Sequence, residues 1–316
     1  MRVAILGLGV IGTTYAYAFQ KAGHETFHIL RDGKKEIPSA ISVHLLDGRY
    51  DNRGEEKEGI YKMLLAHENE EFDFIFVSVA SGNLTKALDT IRKRNIKGTI
   101  VLFCNFWNER KEVEHIVEDF PYIIAFPTAG GHMNNSWSLN CVLFDHIMLE
   151  AEEKTQIGNY SDLITLLTSA DIKQEIPYDM LEWIWIHMAI NAGVTSTAGR
   201  NGDIDNPNQL AKELMCDVKA LKLAVKSIRE TLKVVESRGV NLRLYKNEIL
   251  PYNIPAGLSG ILMKKLFSSN ELTSRIMTLH SDVNDILYGC RCVYEEGKKQ
   301  GLDLPLFYKN MESILA

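Results

Sequence analysis

Three glycines near the start of the chain have the spacing GxGxxG: Gly7, Gly9 and Gly12 lie between an apolar run and a helical pattern. The first glycine of such a motif allows a tight turn, the second lets the backbone approach a pyrophosphate, and the third lets helix and strand pack closely. The helix start then offers free N–H groups and the positive end of its dipole to phosphates. We predict a dinucleotide-binding turn that includes Val10 and Ile11; the alternative is a tight turn without a ligand.

The residues that end the second strand discriminate between nicotinamide cofactors. Arg31 stands where a strand over residues 26–30 ends, and Asp32 follows it. A carboxylate at this position binds the ribose hydroxyls of NAD, whereas an arginine pairs with the 2′-phosphate of NADP. The sequence therefore favours NADP (NADPH). A solvated Arg31 is the alternative.

Polar residues also follow two later predicted strands. Asn105 comes after the strand over residues 99–103, and Thr128 comes after the strand over residues 123–126. Ligands of open parallel sheets bind outside the carboxyl ends of the strands. We therefore interpret Asn105 as a residue that holds the nicotinamide ribose or the substrate, and Thr128 as a cofactor contact. A turn-forming Asn105 is the alternative, and Gly130-Gly131-His132 is a further strand end open to close backbone approach.

A second candidate surface lies on a predicted helix over residues 179–200. His187, Asn191 and Thr195 are spaced by four residues, which stacks them on one side of the helix. Buried polar side chains need partners, so these three either bond within the core or line a cleft. The functional interpretation makes His187 a proton donor. The alternative is a satisfied core histidine.

The elements that position these residues change character halfway along the chain. Up to residue 176, short apolar strands alternate with helical periods, which predicts an α/β fold with a doubly wound parallel sheet. Extended runs over 140–144, 147–150 and 171–176 are predicted as antiparallel additions to the sheet edge, and 51–59 as a loop. Apolar residues from Leu210 to Val235 then recur every three or four positions as a helical core stripe. We predict a dinucleotide-binding domain over 1–176 and an all-helical domain over 177–316.

Composition limits the partners. The formal net charge is −6, without a basic block, which argues against nucleic acid and anionic membranes. Since the first strand begins within two residues of Met1 and no apolar run approaches a membrane span, we expect a cytoplasmic protein with a small-molecule ligand. The five cysteines lack metal-ligand spacing, so we expect reduced thiols and no metal site.

The ordered set of motifs resembles the ketopantoate reductase (2-dehydropantoate 2-reductase) family over nearly the whole chain. The resemblance implies a Rossmann-type amino-terminal domain, a helical carboxy-terminal domain for substrate and dimerisation, and a possible homodimer. It also implies NADPH-dependent reduction of a branched 2-oxo acid in the interdomain cleft, as in pantothenate biosynthesis. The motifs that carry it are the glycine-rich turn, Arg31, Asn105, Gln156-Ile157-Gly158, Trp185-Ile186-His187-Met188-Ala189-Ile190-Asn191 and Gly301-Leu302-Asp303-Leu304-Pro305.

The chain departs from the family pattern in its substrate half. His187 stands in the place of the family's catalytic lysine, Thr195 in that of a second asparagine, and Ala80 in that of a lysine after the fourth major strand. Ser274 lies near the family's substrate serine. Asp285 fits the position of its substrate-contacting glutamate best, and Asp282 fits nearly as well.

These departures change the chemistry that the resemblance implies. Hydride transfer to a 2-oxo acid builds negative charge on the carbonyl oxygen and needs a proton donor and a positive or dipolar neighbour. Histidine can donate a proton, with an ordinary pKa of ~6.5, but reaches less far than lysine. The replacement of a lysine by Ala80 removes a partner of the substrate carboxylate. We therefore expect a different or smaller oxo substrate than ketopantoate.

The sequence thus predicts an NADP(H)-dependent 2-oxo acid reductase, with His187 as general acid and Asn191 orienting the carbonyl. In this hypothesis Asn105 and Ser274 assist substrate binding in the cleft. Two alternatives remain: a catalytically inactive NADP(H)-binding sensor or interaction protein, and an opine-dehydrogenase-like enzyme in which a histidine is the acid.

Overall fold

The computed structural model of the protein describes residues 1–31, 33, 37–51, 53–79, 82–118, 120–279 and 283–315. The chain divides into two compact units, Met1–Met180 and Leu181–Ala316. In the described residues, every strand belongs to the first unit, whereas the second unit is helical. The predicted fold class, α/β followed by an all-helical part, is confirmed.

Two sheets form in the first unit. An eight-stranded sheet has the order β12-β11-β8-β7-β6-β1-β2-β5, and a four-stranded sheet has the order β4-β3-β10-β9. The strands are β1 (Arg2–Leu6), β2 (Glu25–Ile29), β3 (Ala40–Asp47), β4 (Glu55–Lys62), β5 (Leu64–Leu65), β6 (Glu71–Val77), β7 (Lys97–Phe103), β8 (Tyr122–Phe126), β9 (Ala129–Met133), β10 (Ser138–Leu143), β11 (His146–Leu149) and β12 (Lys173–Glu175).

Helices connect the parallel strands and build the second unit. The first three described helices link β1 to β2, β6 to β7, and β7 to β8, as in a doubly wound sheet. The helices are α1 (Val10–Lys21), α2 (Leu84–Lys93), α3 (Arg110–Val117), α4 (Tyr160–Ser169), α5 (Met180–Asn201), α6 (Pro207–Cys216), α7 (Val218–Ser237), α8 (Lys246–Asn253), α9 (Ala256–Ser269), α10 (Glu271–Leu279), α11 (Val283–Lys299) and α12 (Pro305–Leu315).

The edge of the large sheet follows the prediction in part. β11 pairs antiparallel with β8, and β12 pairs parallel with β11, so both run against the parallel strands as expected. The expectation for residues 140–144 is wrong, because β10 belongs to the four-stranded sheet and pairs with β3 and β9.

The four-stranded sheet also overturns the loop predicted over 51–59. β4 pairs antiparallel with β3 along eight residue pairs, from Ala40 opposite Lys62 to Asp47 opposite Glu55. Charged residues dominate β4, and Tyr61 is its one fully buried residue, so its own pattern does not indicate a strand. β3 supplies the missing partner, since its alternate residues Ile41, Val43 and Leu45 are buried.

The glycines at 130 and 131 lie within this sheet rather than at an open strand end. They belong to β9, which pairs antiparallel with β10. A Cβ on Gly131 would lie 2.2 Å from the Asn140 carbonyl oxygen, so the close backbone approach is to β10. His132 is exposed on the same strand. The close approach found at Gly131 is thus to a neighbouring strand, and a ligand at this position stays a prediction.

The second unit packs α5 against α7. A Cβ on Gly193 would lie 2.6 Å from the backbone nitrogen of Ile228, and the Thr231 hydroxyl donates to the Ala189 carbonyl at 2.7 Å. The predicted core stripe is buried except for the half-buried Val218, and Asp217 divides it into α6 and α7 by accepting a hydrogen bond from the Lys219 N–H at the start of α7. Among the described residues, no helix is both long and apolar enough to cross a bilayer.

Candidate active site

The glycine-rich turn joins β1 to α1 with a distinct geometry at each glycine. Gly7 has φ +89°, a conformation that side chains disfavour. Gly9 is exposed, has an ordinary φ of −72° and precedes α1. Within the part of the chain that the structure describes, an added Cβ would have one neighbour within 4 Å, the Ser78 carbonyl oxygen at 3.7 Å. A Cβ on Gly12 would lie 2.5 Å from Cγ2 of Ile5. Gly12 is therefore needed for helix packing, whereas Gly9 leaves space above the turn.

The start of α1 is suited to an anion. The N–H groups of Val10, Ile11 and Gly12 precede the first intrahelical bond, which runs from Thr13 N–H to the Gly9 carbonyl at 3.0 Å. No side chain caps this end, and no acidic residue in the first turn of α1 offsets the positive end of its dipole. These backbone groups fit a pyrophosphate.

A cavity of about 220 Å³ lies beyond the end of β2. Arg31 is exposed and lines this cavity together with Leu30 and Gly33. Arg94, which follows α2, lines the same cavity. The sequence does not single it out, because a run such as Arg92-Lys93-Arg94 is typical of a solvated helix end. Two arginine residues therefore line the cavity next to the position where the resemblance implies a 2′-phosphate. Asp32 lies outside the described residues.

Asn105 follows β7 at the carboxyl end of the sheet. Its Oδ1 atom is buried and accepts no hydrogen bond within the described part of the chain. Buried polar atoms are nearly always bonded, so an acceptor of this kind is suited to a ligand that carries a donor, such as a ribose hydroxyl. The neighbouring Cys104 thiol donates to the Val77 carbonyl at 3.3 Å and ties the ends of β7 and β6 together.

Thr128 has less freedom than the sequence interpretation assumes. Its hydroxyl donates to the His146 carbonyl, and its backbone N–H donates to the Tyr15 hydroxyl at 3.2 Å. Burial raises the pKa of Tyr15, so that hydroxyl stays neutral. The Thr128 side chain can therefore offer only lone pairs to a cofactor.

His187 and Asn191 meet on α5. The Asn191 side-chain nitrogen lies 2.9 Å from His187 Nε2, and the Trp183 ring stacks on the imidazole with centroids 5.2 Å apart and planes 11° apart. Desolvation by burial lowers the pKa of His187 to about 4. If Asn191 donates, Nε2 is the acceptor and the ring proton is on Nδ1. His187 is thus neutral at pH 7, while Asn191 is exposed.

The other residues of the substrate half lie on different helices. Thr195 hydrogen-bonds to the Cys290 thiol on α11, although burial still raises the pKa of that thiol to about 12. Ser274 lies on α10, which packs against α6 and α9, and Asp285 lies in the first turn of α11. Trp183 precedes His187 by four residues, so the same helical spacing accounts for the stack, whereas no local sequence pattern indicates the Cys290 contact. Ala80, His280 and Asp282 lie outside the described residues.

The low pKa of His187 predicts a pH-dependent stability. Because the folded state binds this proton less tightly than the unfolded chain, stability is full above an ordinary histidine pKa of ~6.5 and falls as the pH drops toward 4. The loss is at most on the order of 3 kcal/mol, at about 1.4 kcal/mol per pKa unit. The melting temperature should therefore fall less between pH 7 and pH 5 for His187→Gln than for the wild type. Equal differences would contradict the assignment.

The amino-terminal half matches a known family model. The model described as ketopantoate reductase PanE/ApbA matches residues 3–161, half of the 316-residue chain. This range contains the glycine-rich turn, Arg31, Asn105 and Thr128. No curated protein matches the chain in sequence.

Solved structures share the fold over nearly the whole chain. D-mandelate dehydrogenase with NADH and anilino(oxo)acetate has 16% identity and a TM-score of 0.68, with 99% of this chain and 97% of that chain covered. A 2-dehydropantoate 2-reductase from Geobacter metallireducens GS-15 has 12% identity and a TM-score of 0.67, with 99% of each chain covered. Yersinopine dehydrogenase bound to NADP+ has 10% identity and a TM-score of 0.65, with 100% of this chain and 90% of that chain covered.

At these low identities the structural matches establish the fold alone, whereas the family match rests on the sequence itself. Both agree with the resemblance drawn from the motifs. The chain therefore belongs to the ketopantoate reductase PanE/ApbA family.

Proposed function

We propose that the protein is an NADP(H)-dependent oxidoreductase that transfers hydride to a small 2-oxo acid. The observation that carries this proposal is the start of α1, where uncapped N–H groups lie behind the exposed and sterically open Gly9. Family membership supports an oxidoreductase. Relatives of the same fold were solved with NADH or NADP+.

Different residues of the first unit bind different parts of the cofactor in this proposal. Gly7, Gly9 and Gly12 shape the turn, and the N–H groups of Val10 and Ile11 hold the pyrophosphate. Arg31 pairs with the 2′-phosphate, and Asn105 Oδ1 accepts a hydrogen bond from the nicotinamide ribose or the substrate. When bound, the nicotinamide supplies the hydride.

His187 supplies the proton in this proposal. Its pKa of about 4 leaves it neutral without a ligand, but a nearby substrate carboxylate and a developing oxyanion favour the charged imidazolium. An anionic substrate therefore raises the pKa of His187 and supports proton transfer to the carbonyl oxygen. Asn191, 2.9 Å from the imidazole, orients His187 or the carbonyl. Thr195, Ser274 and Asp285 are carried forward as weaker candidates for substrate contact.

The substrate is proposed to differ from ketopantoate. His187 replaces the family lysine, and Ala80 leaves one position without a cation for the substrate carboxylate. The fold relative with anilino(oxo)acetate is consistent with a 2-oxo acid of another shape. The direct test follows NADPH oxidation with a panel of 2-oxo acids that includes ketopantoate and aromatic and short aliphatic members. If the protein reduces none of these 2-oxo acids, the proposed reaction is overturned.

Arg31→Ala tests the cofactor preference. We expect NADPH affinity to fall roughly tenfold or more while NADH affinity is spared, because a charge-assisted pair contributes on the order of 1.5–3 kcal/mol. Calorimetric titration with both cofactors measures the effect. Equal losses for NADPH and NADH would refute the assignment of Arg31 to the 2′-phosphate.

A second candidate is an opine-dehydrogenase-like reaction on an imine. The fold similarity to yersinopine dehydrogenase and a histidine in the place of the lysine favour it. Turnover that requires an added amino acid beside the 2-oxo acid would distinguish this reaction from simple reduction. If the protein is instead a cofactor-binding sensor, it should bind NADPH without turnover in either assay.

The homodimer stays a prediction. Sedimentation equilibrium tests it, because a dimer has twice the mass of one chain.

A further inference from the structure

Three buried polar side chains form a hydrogen-bonded chain that ends on the glycine-rich turn. Thr26 and His28 of β2 are fully buried, and so is Tyr61 of β4. His28 Nδ1 lies 2.6 Å from the Gly7 carbonyl oxygen, His28 Nε2 lies 2.9 Å from the Tyr61 hydroxyl, and that hydroxyl lies 3.1 Å from Thr26 Oγ1.

The direction of the first of these bonds follows from the acceptor at its end. A carbonyl oxygen only accepts, so His28 must donate to Gly7 from Nδ1. The second ring nitrogen, Nε2, is hydrogen-bonded to the Tyr61 hydroxyl, which can donate or accept. The Tyr61 oxygen is also hydrogen-bonded to the Thr26 hydroxyl. Burial raises the pKa of Tyr61 to about 12, so its hydroxyl stays protonated.

The hydrogen bonds from Thr26 through Tyr61 and His28 to Gly7 determine the orientation of the peptide between Gly7 and Leu8. The Gly7 N–H already donates to the Ile29 carbonyl at 2.8 Å, so β2 holds Gly7 on both its nitrogen and its oxygen. In a trans peptide the N–H points opposite to the carbonyl, so His28 directs the Leu8 N–H away from β2. Gly7 itself has no side chain to restrict its rotation, and its φ of +89° is one of several that glycine can adopt.

Burying a histidine in a core strand costs desolvation free energy. An apolar residue at position 28 would avoid the desolvation of an imidazole, whereas a fully bonded buried network rigidifies the groups that it joins. The outermost group joined here is the carbonyl of the first glycine of the motif. The bonds therefore hold the turn in one conformation before any ligand arrives, which lowers the ordering cost of binding.

We propose that His28 is a positioning residue for the pyrophosphate of the dinucleotide, and that Tyr61 of the second sheet acts through it. This inference rests on the proposed function, because it assumes that the turn binds a nicotinamide dinucleotide. The pyrophosphate is common to NADH and NADPH. Loss of His28 must therefore weaken both cofactors by the same factor, unlike loss of Arg31.

His28→Phe removes both bonds and keeps a buried ring. We expect the dissociation constants of NADPH and NADH to rise together by roughly tenfold, the equivalent of about one lost hydrogen bond. His28→Gln has a donor and an acceptor on one planar group, and we expect it to restore binding to within about threefold of the wild type. Tyr61→Phe should weaken both cofactors by a smaller factor, since it leaves the bond from His28 to Gly7 in place.

Val43→Ala is the matched control, because it creates a cavity at a buried residue of β3 that is outside the hydrogen-bonded chain. Calorimetry with each cofactor and thermal unfolding are measured for every variant. If His28→Phe lowers the melting temperature as Val43→Ala does but binds both cofactors as the wild type does, His28 is only structural and the inference is overturned. If His28→Phe does not fold, unchanged binding by Tyr61→Phe overturns it. A wild type that binds neither cofactor overturns the proposed function instead.

Discussion

Gly9→Val is expected to abolish cofactor binding while the protein stays folded. Among the described residues, an added Cβ at Gly9 meets one atom within 4 Å, at an ordinary contact distance of 3.7 Å, and the backbone φ of −72° suits any residue. The side chain would instead occupy the place of the pyrophosphate. Calorimetric titration with NADPH measures binding, and circular dichroism with thermal unfolding measures the fold.

Two other glycines provide controls for this result. Gly158→Val adds a side chain at an exposed position with nothing within 4 Å, and should leave both binding and stability unchanged. Gly12→Val forces a contact with Ile5 and should cost about 1–3 kcal/mol or more of stability by overpacking. A folded Gly9→Val protein that still binds NADPH at micromolar concentration would mean that the dinucleotide binds elsewhere, and the proposed function would fail.

His187→Ala is expected to lower kcat by about 10²–10⁴ while NADPH affinity stays nearly unchanged, which is the usual size of a general-acid contribution. The glycine-rich turn belongs to the first unit and His187 to the second, so we expect binding and chemistry to separate in this variant. Steady-state kinetics with the best substrate of the panel give kcat, and calorimetry gives the affinity. His115→Ala, an exposed histidine of α3, is the control.

Two further outcomes define the role of His187. His187→Lys restores the family residue and should recover part of the ketopantoate reduction, limited by Ala80 and Thr195. Robust turnover that survives His187→Ala would remove His187 from the mechanism and make His280 and Asp285 the next donors to test. A wild type without turnover, in which His187→Ala changes only stability, is the result that the sensor alternative predicts.

The turn and the parallel strands are local features, and the sequence predicted them well. The GxGxxG spacing is read within one strand and one helix, and the contact that requires glycine at position 12 is made with Ile5 of the preceding strand. The parallel strands β1, β6, β7 and β8 are buried apolar runs that need no information about their partners to be recognised.

The second sheet could not be predicted in the same way. β4 carries charges along most of its length and is a strand because β3 pairs with it, so the residues that decide its structure lie elsewhere in the chain. The same holds for Gly131 of β9, whose close contact is with Asn140 and Cys141 of β10.

The sequence by itself determined the family, the glycine-rich turn between β1 and α1, and the helix face that carries His187 and Asn191, because these depend on residue types at short and fixed spacings. Only the tertiary structure decided that His187 is neutral at pH 7, that Arg94 shares a cavity with Arg31, and that His28 holds the Gly7 carbonyl. Burial sets the pKa, and the bonds and cavities join residues from 21 to 63 positions apart along the chain. No local pattern encodes such distances, because they exist only once the strands have paired and the helices have packed.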